Sequence, residues 1–394
     1  MGNIKLASID ECTGCKACVV SCNKGAISFV ESEKTLHTYP IINSELCVNC
    51  KKCVKNCPII NFDSQKRITG KYGVRTFCGW IKDGNIRAQS TSGGLGSALA
   101  QTAIKLEYIV VGAKFDDHWN LSHDIARTES ELVCFRGSKY LLSDVEVALK
   151  KTLTLLNGGK KVFFIGTPCQ CESIKSISGP KYEENLLTCS IICHGVNSPR
   201  VWNDYVRYIE TKHKSKLSKY NFRSKKFGWG KLNVNYSFVN GKRVNQKARY
   251  NLFHVWFGRH YNQRLSCFNC KYRSKERFTD FVIGDFWGIE KIMPNLDTKN
   301  GVSVLLVNSE KADIFINHAN NMALIETQPD STMSVLKGFT ENQSYVTRDE
   351  EISTNARFAE DYKTLSFSEM SKKYPVPSII AIINDWICSK IRLI

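Results

Sequence analysis

Eight cysteines within the first sixty residues constrain this chain more than any other feature. Cys12, Cys15, Cys18 and Cys22 are spaced C-x-x-C-x-x-C-x-x-x-C, and Cys47, Cys50, Cys53 and Cys57 repeat that spacing with Pro58 directly after the last thiol. In such a run three thiolates of a tight loop grip three corners of one iron–sulfur cubane, and the fourth reaches the neighbouring cluster. The spacing therefore assigns Cys12, Cys15, Cys18 and Cys57 to one [4Fe–4S] cluster and Cys47, Cys50, Cys53 and Cys22 to its twin. Zinc favours C-x-x-C pairs over triplets, so the doubled pattern argues against it. The first run continues Cys22-Asn23, where Pro is usual after the fourth thiol. That departure bears on the first cluster without overturning it.

The rest of the composition agrees with a cytoplasmic, cluster-bearing protein. At 394 residues, 42% hydrophobic and 23% charged, the chain has room for two globular domains and a small third. The first twelve residues are interrupted by Lys5 and Asp10, unlike a secretory leader. No run of about 18 apolar residues is present to span a membrane. Thiols stay reduced in the cytosol, so seventeen cysteines point to metal or cluster ligation rather than disulfides. The formal charge of +18 is spread thinly, much of it over residues 139–277, and bound cubanes would offset part of it. An acidic protein or a phosphate-bearing partner fits that distribution better than nucleic acid.

The expected fold is α+β, a bacterial-type 2[4Fe–4S] ferredoxin-like module over 1–62 followed by a larger α/β domain. The polar stretch 61–71 reads as the linker between them. Beyond it the pattern predicts strands over 74–81, 108–115, 161–166, 185–192 and 302–307. Helices are expected over 95–106, 144–156, 199–213 and 310–320. Strand-like alternation starts at Lys231, with Asn240-Gly241 as a hairpin turn. The strand order is not legible from this pattern.

Several motifs of the large domain sit where strands end or helices begin. The STSGG run at 90–94 precedes a helix, where small residues and free N–H groups suit a phosphate, or simply form an N-cap. Cys169 lies in GTPCQ at 166–170, between a buried strand and a helix whose dipole would favour its thiolate. No base partner for a nucleophilic Cys169 is evident. Cys193 follows another apolar strand, and Cys267 and Cys270 form an isolated C-x-x-C. Those four thiols could converge on a further cubane, or on zinc with His194. Cys171 and Cys189 lie close enough in sequence to leave the ligand identity open. Cys78, Cys134 and Cys388 read as buried small hydrophobes.

Taken in order, STSGG at 90–94, GSKY at 137–140, GTPCQ at 166–170, CHGV at 193–196, C-x-x-C at 267–270 and GDFWG at 284–288 resemble the coenzyme F420 hydrogenase/dehydrogenase beta subunit family. The resemblance covers roughly residues 70–310. It divides the chain into a ferredoxin-type domain (1–62), an N-terminal-like region (70–150), a C-terminal-like region with the third cluster (158–325) and an extension (326–394). It implies an FAD-binding fold with Ser92, Gly93, Gly94, Ser138, Lys139 and Tyr140 lining the flavin, Asp285 and Trp287 close to the cofactors, and Cys169, Cys193, Cys267 and Cys270 holding a third [4Fe–4S] cluster. The family includes enzymes acting on the deazaflavin, a reductase of a chlorophyll derivative, and bacterial members linked to polysaccharide biosynthesis. This chain looks most like the last group.

The expected activity is an iron–sulfur flavoprotein oxidoreductase, passing electrons between a ferredoxin-like protein, the clusters, FAD and a small-molecule substrate. A non-catalytic electron-transfer subunit and a zinc-containing binding protein are the alternatives. Lys51, Lys52 and Lys55 would steer an acidic donor, or simply form a solvated face. The segment 378–394 reads as a basic amphipathic helix. It would lie on a membrane surface, or pack on its own domain or a partner subunit such as a second copy of the chain.

Overall fold

The computed structural model describes residues 4–62, 74–273, 278–340 and 348–377. Most of the expected linker, and the whole of the amphipathic segment 378–394 with Cys388, lie outside these residues. Among the described residues no helix is long and apolar enough to cross a membrane.

The N-terminal module is built on a pseudo-repeat. A short helix α1 (Ala17–Val20) precedes the antiparallel hairpin β1 (Ile27–Glu31) and β2 (Thr38–Ile42), and a matching α2 (Lys52–Lys55) follows. The module seats on the body through polar contacts that are themselves shielded from water. Ser173 Oγ donates to Cys15 O at 2.9 Å, Ser176 Oγ to Asn56 O at 3.0 Å, and His37 Nε2 meets Asn262 O at 3.0 Å.

The body is organised by β3 (Arg75–Ile81), α3 (Gly84–Gln89), α4 (Leu95–Lys105), β4 (Ile109–Phe115), β5 (Leu121–Ala126), α5 (Glu146–Asn157), β6 (Val162–Gly166), α6 (Pro168–Ser178) and β7 (Leu186–Ile191). It continues with α7 (Pro199–His213), β8 (Leu217–Ser224), β9 (Asn233–Phe238), β10 (Arg243–Lys247), α8 (Leu252–Gly258), α9 (Leu265–Phe268), β11 (Phe281–Asp285) and β12 (Ser303–Val307). After these come α10 (Glu310–Asn317), β13 (Met322–Thr327), α11 (Pro329–Thr340), α12 (Arg348–Thr364) and α13 (Phe367–Lys373). Eight strands form one sheet in the order β13-β3-β12-β11-β7-β6-β4-β5. β4, β6, β7 and β11 run parallel, and β12 is antiparallel to both β11 and β3. β3 therefore points the same way as β11, and five strands end at one edge of the sheet.

Both faces of that sheet are apolar, as its continuous hydrophobic strands require. On β6, Phe163 enters the core formed with Leu95, Leu99 and Ala103 of α4, while Val162 and Phe164 enter the core formed with Leu149 of α5 and Ile174 of α6. The smaller sheet, β10-β9-β8, is antiparallel. It packs through an aromatic core of Trp202, Tyr205, Phe222, Tyr236, Phe253 and Trp256. Helix α7 starts as its sequence dictates, with Ser198 as N-cap and Pro199 at the first position.

Candidate functional site

Each cysteine run of the module is wound into the same loop. Gly14 and Asn49 hold φ at 73° and 55°, and Lys16 and Lys51 hold 62° and 58°. Each left-handed lysine opens one of the short helices α1 and α2. Alternating left- and right-handed residues turn several N–H groups to one side, forming the concavity in which anionic clusters are held. Cys12, Cys15, Cys18 and Cys57 face one another. The Cys18 thiol is pushed up by burial and then by the thiols of Cys15, Cys12 and Cys57. Cys15 is pushed up to about 11, again by burial first. The other four, Cys22, Cys47, Cys50 and Cys53, line a single cavity of about 160 Å³. The Asn23 departure leaves Cys22 in that ring, where its sulfur accepts from Ala26 N–H at 3.3 Å.

The two sets differ in their surroundings. Cys12 and Cys15 are buried, whereas Cys50 is exposed beside exposed Leu46 and Val48. Lys51, Lys52 and Lys55 are also exposed. The set with Cys50 is the outer one and the set with Cys12 the inner.

The body contributes a third set from three elements. Cys169 sits on the first turn of α6, Cys193 follows β7, and Cys267 and Cys270 lie on and just after α9. Burial pushes the Cys169 thiol well up, and Cys193, Cys270 and Cys15 add to the effect. Cys267 is pushed up to about 12 by burial, then by Cys270 and Cys193. Burial and the neighbouring thiols thus work against the α6 dipole at Cys169. Four half-buried thiols crowded together cannot readily ionise without a cation among them, which suits a cluster ligand set better than a nucleophile. Among the described residues no group of three or more His, Cys, Asp and Glu side chains is arranged for a single metal ion. Cys15, a neighbour of Cys169, brings the inner set beside the third.

A cluster of polar and aromatic side chains gathers at the sheet edge where β3, β6, β7 and β11 end, the edge at which open α/β sheets form their ligand-binding cleft. Asp285 closes β11, accepting from Trp229 Nε1 at 2.8 Å and from Arg223 Nη1 at 3.2 Å. Arg223 also donates to the Tyr140 hydroxyl at 3.2 Å and lies over the Trp287 ring, 5.2 Å from its centroid. Trp287 stacks on Trp229 at 4.2 Å. Lys225 Nζ donates to Arg87 O at 2.6 Å, to Asn300 O at 3.0 Å and to Ser92 O. Ser138 donates from N and Oγ to Thr91 Oγ1, tying GSKY to STSGG. Lys139 is half-buried, with Nζ donating to Phe135 O, Arg136 O and Gly137 O. Burial lowers both Lys139 and Lys225 to about 8. His194, exposed just after β7, neighbours Arg273, His260 and Asp285.

Residues 76–150 match the N-terminal model of the coenzyme F420 hydrogenase/dehydrogenase beta subunit, and residues 159–332 match its C-terminal model. Together these span well over half of the chain. The chain belongs to this family. Residues 11–60 match the 4Fe-4S dicluster domain, so the beta-subunit body carries an iron–sulfur module ahead of it. A curated relative, an uncharacterized protein of Methanocaldococcus jannaschii, is 22% identical over 349 residues, covering 79% of this chain and 87% of that protein. Among solved structures, the F420-reducing nickel–iron hydrogenase complex of Methanosarcina barkeri includes a chain similar at a TM-score of 0.46 and 16% identity, over 76% of this chain and 96% of that one.

Within the family framework the six motifs play unequal parts. Ser92, Ser138, Tyr140, Asp285 and Trp287 converge through Arg223, Lys225 and Trp229, which the sequence reading did not single out. The available signal was the run Arg223–Gly230, rich in cations, aromatics and glycine at the end of an unrecognised strand, β8. Gly93 and Gly94 answer to their own chain. A Cβ at Gly93 would meet Gly79 O at 2.3 Å, and Gly94 opens α4 at φ 86°. The remaining cysteines also separate. Cys171 and Cys189 are fully buried, the Cys171 thiol donating to Cys189 O at 3.5 Å, and Cys78 is buried against Met293. Cys134 is exposed, contrary to the expectation of a buried thiol, because its helical turn lies on the surface with Val133.

Proposed function

We propose that this chain is an iron–sulfur flavoprotein oxidoreductase, exchanging electrons between an acidic carrier protein at the module and a small molecule at the sheet-edge cleft. The observation that carries this reading is the succession of thiol sets, outer, inner and third, leading from exposed Cys50 inward to the cleft. The outer set would be Cys22, Cys47, Cys50 and Cys53, the inner Cys12, Cys15, Cys18 and Cys57, and the third Cys169, Cys193, Cys267 and Cys270. The cleft suits FAD by the chemistry of its donors. Lys139 and Lys225 are half-buried cations whose hydrogen-bond acceptors are all neutral carbonyls, and among the described residues the buried Arg223 Nη2 has no hydrogen-bond partner. A diphosphate would supply the missing negative charge. When bound, the clusters supply one-electron transfer and the flavin supplies hydride chemistry.

The chain's own residues do the holding and orienting. Arg223 fixes the Asp285 carboxylate and the Tyr140 hydroxyl in one plane of contacts, and Trp229 closes over Trp287 to keep water from that wall. Ser138 and Thr91 lock the two loops that would flank the flavin. The substrate would be of the F420 type or one linked to polysaccharide biosynthesis.

Anaerobic purification with iron, sulfide, zinc and released-flavin analysis tests the proposal. About twelve irons and one FAD per chain are expected, from three cubanes and one flavin. About eight irons with zinc and no flavin would leave the module standing and remove the oxidoreductase reading of the body. Full iron and flavin without turnover on any small acceptor would favour the non-catalytic subunit.

A further inference from the structure

Arg264 lies wholly inside the protein, at the residue that opens α9, between module and body. Its Nε donates to Cys12 O at 2.7 Å, both terminal nitrogens donate to Thr38 O at 3.1 Å, and Nη2 points at Cys12 Sγ from 3.6 Å. The guanidinium carbon sits 4.1 Å from the centre of the Tyr39 ring. A Cβ on Gly14 would come within 3.1 Å of that carbon, so the cysteine loop has no side chain where the arginine passes. Three residues further on, Cys267 of the third set is held to the same turn, its backbone N–H donating to Arg264 O at 2.9 Å.

The bonding leaves a charge to be explained. Among the described residues the hydrogen-bond acceptors of Arg264 are two carbonyls and one sulfur, and none is a carboxylate. A guanidinium cannot shed its proton, and an unpaired buried cation is costly. Its neighbours His37 and Tyr39 cannot balance it, since burial keeps His37 neutral and Tyr39 protonated. Among the described residues the groups in contact with it that can carry negative charge are the thiolates of two different sets, Cys12 of the inner and Cys267 of the third.

We propose that Arg264 is the shared counter-charge of the inner and third clusters, a single buried cation that raises the reduction potential of both. This rests on the reading that both thiol sets hold clusters. Potentials of iron–sulfur clusters follow net charge and hydrogen bonds to sulfur, and each electron added is an added negative charge. A fixed cation between two clusters stabilises the reduced form of each. It thereby keeps their potentials together while the outer cluster, on the solvent side, is set independently. Arg264 is a tuning residue and touches no substrate.

The test uses the full chain, purified anaerobically, as wild type, Arg264→Gln and Arg264→Lys. Iron is counted first, and each cluster is then titrated electrochemically with paramagnetic resonance as the readout. A wild-type protein with fewer than about twelve irons would undo the three-cluster reading itself, before any variant is compared. With clusters loaded, Arg264→Gln is expected to make reduction of the inner and third clusters at least tenfold less favourable, a fall of about 59 mV or more for a one-electron couple. The outer cluster should move far less, and Arg264→Lys should recover most of the loss. Unchanged inner and third potentials in Arg264→Gln, or an equal fall in Arg264→Lys, would overturn the proposal. If glutamine prevents cluster loading while lysine permits it, the requirement for charge stands. If both fail to load, Arg264 is a structural brace and the proposal falls.

Discussion

Lys139 offers a test in which two opposed effects can be separated by pH. Burial brings its ammonium from an ordinary value near 10.5 to about 8. At about 1.36 kcal/mol per unit, keeping the cation inside at neutral pH costs on the order of 3 kcal/mol. Its three carbonyl acceptors each return about 1 kcal/mol. The two nearly cancel, so Lys139→Met is expected to alter ligand-free stability at pH 7 by only about 1 kcal/mol either way. The pH dependence is diagnostic instead. Below about 8 both folded and unfolded chains hold the proton, and the folded state bears the full cost. Between about 8 and 10.5 the unfolded chain binds more protons, so wild-type stability rises with pH relative to Lys139→Met.

Urea unfolding of the flavin-free proteins from pH 7 to 10 reads that difference directly. Cys134 is a charged neighbour of Lys139 when ionised, so both proteins should carry Cys134→Ser. A diphosphate beside Lys139 adds a second expectation. FAD affinity should fall about tenfold or more in Lys139→Met, the worth of one charge-assisted hydrogen bond. In wild type it should weaken as pH rises through about 8. A stability difference that stays flat across this range, or equal FAD affinity in the two proteins, would refute the reasoning.

Two further outcomes follow from the thiols and the glycines. Cys193→Ser is expected to remove about four irons per chain. Cys171→Ala and Cys189→Ala should leave the iron count unchanged and lower stability by about 1–2 kcal/mol, measured by iron analysis beside denaturant unfolding. Gly93→Ala would drive a methyl to 2.3 Å from Gly79 O and 2.8 Å from Ser303 N, both backbone atoms that cannot swing aside. It should destabilise the flavin-free protein by about 1–3 kcal/mol or more. A Gly93→Ala protein that unfolds like wild type but loses FAD would show that the glycine serves the ligand instead.

What could be read in advance is local in sequence. Cluster loops impose spacings of two and three residues, so Cys12 to Cys22 and Cys47 to Cys57 declare themselves. The repeated left-handed turns at Lys16 and Lys51 are the backbone form of that spacing. Strands β3, β4, β6, β7 and β12, and the helices α4, α5 and α7, were likewise legible from periodicity. The missed elements are short or atypical. β8 alternates imperfectly because of its register irregularities against β9, and β5 and β13 are edge strands with mixed burial. Sheet order was out of reach because β3 pairs with β12 and β13 from the far end of the chain.

The cleft shows why the remainder was hidden. Arg223 meets Tyr140 across 83 positions and Asp285 across 62, and no periodicity records such a meeting. Electrostatic partners are chosen by the fold, whereas ligand spacings are dictated by the ligand. The same distinction divides the family motifs internally. Ser92 and Gly93 are adjacent in STSGG, yet the Ser92 carbonyl receives Lys225 at the cleft while Gly93 is a glycine because Gly79 and Ser303 crowd it. A motif that looks like one ligand-binding signature is thus two constraints superposed. The sheet demands the glycine, and the cleft uses the carbonyl beside it. Substitutions at the two positions should therefore fail by different routes, Gly93 through the fold and Lys225, across from Ser92, through the ligand.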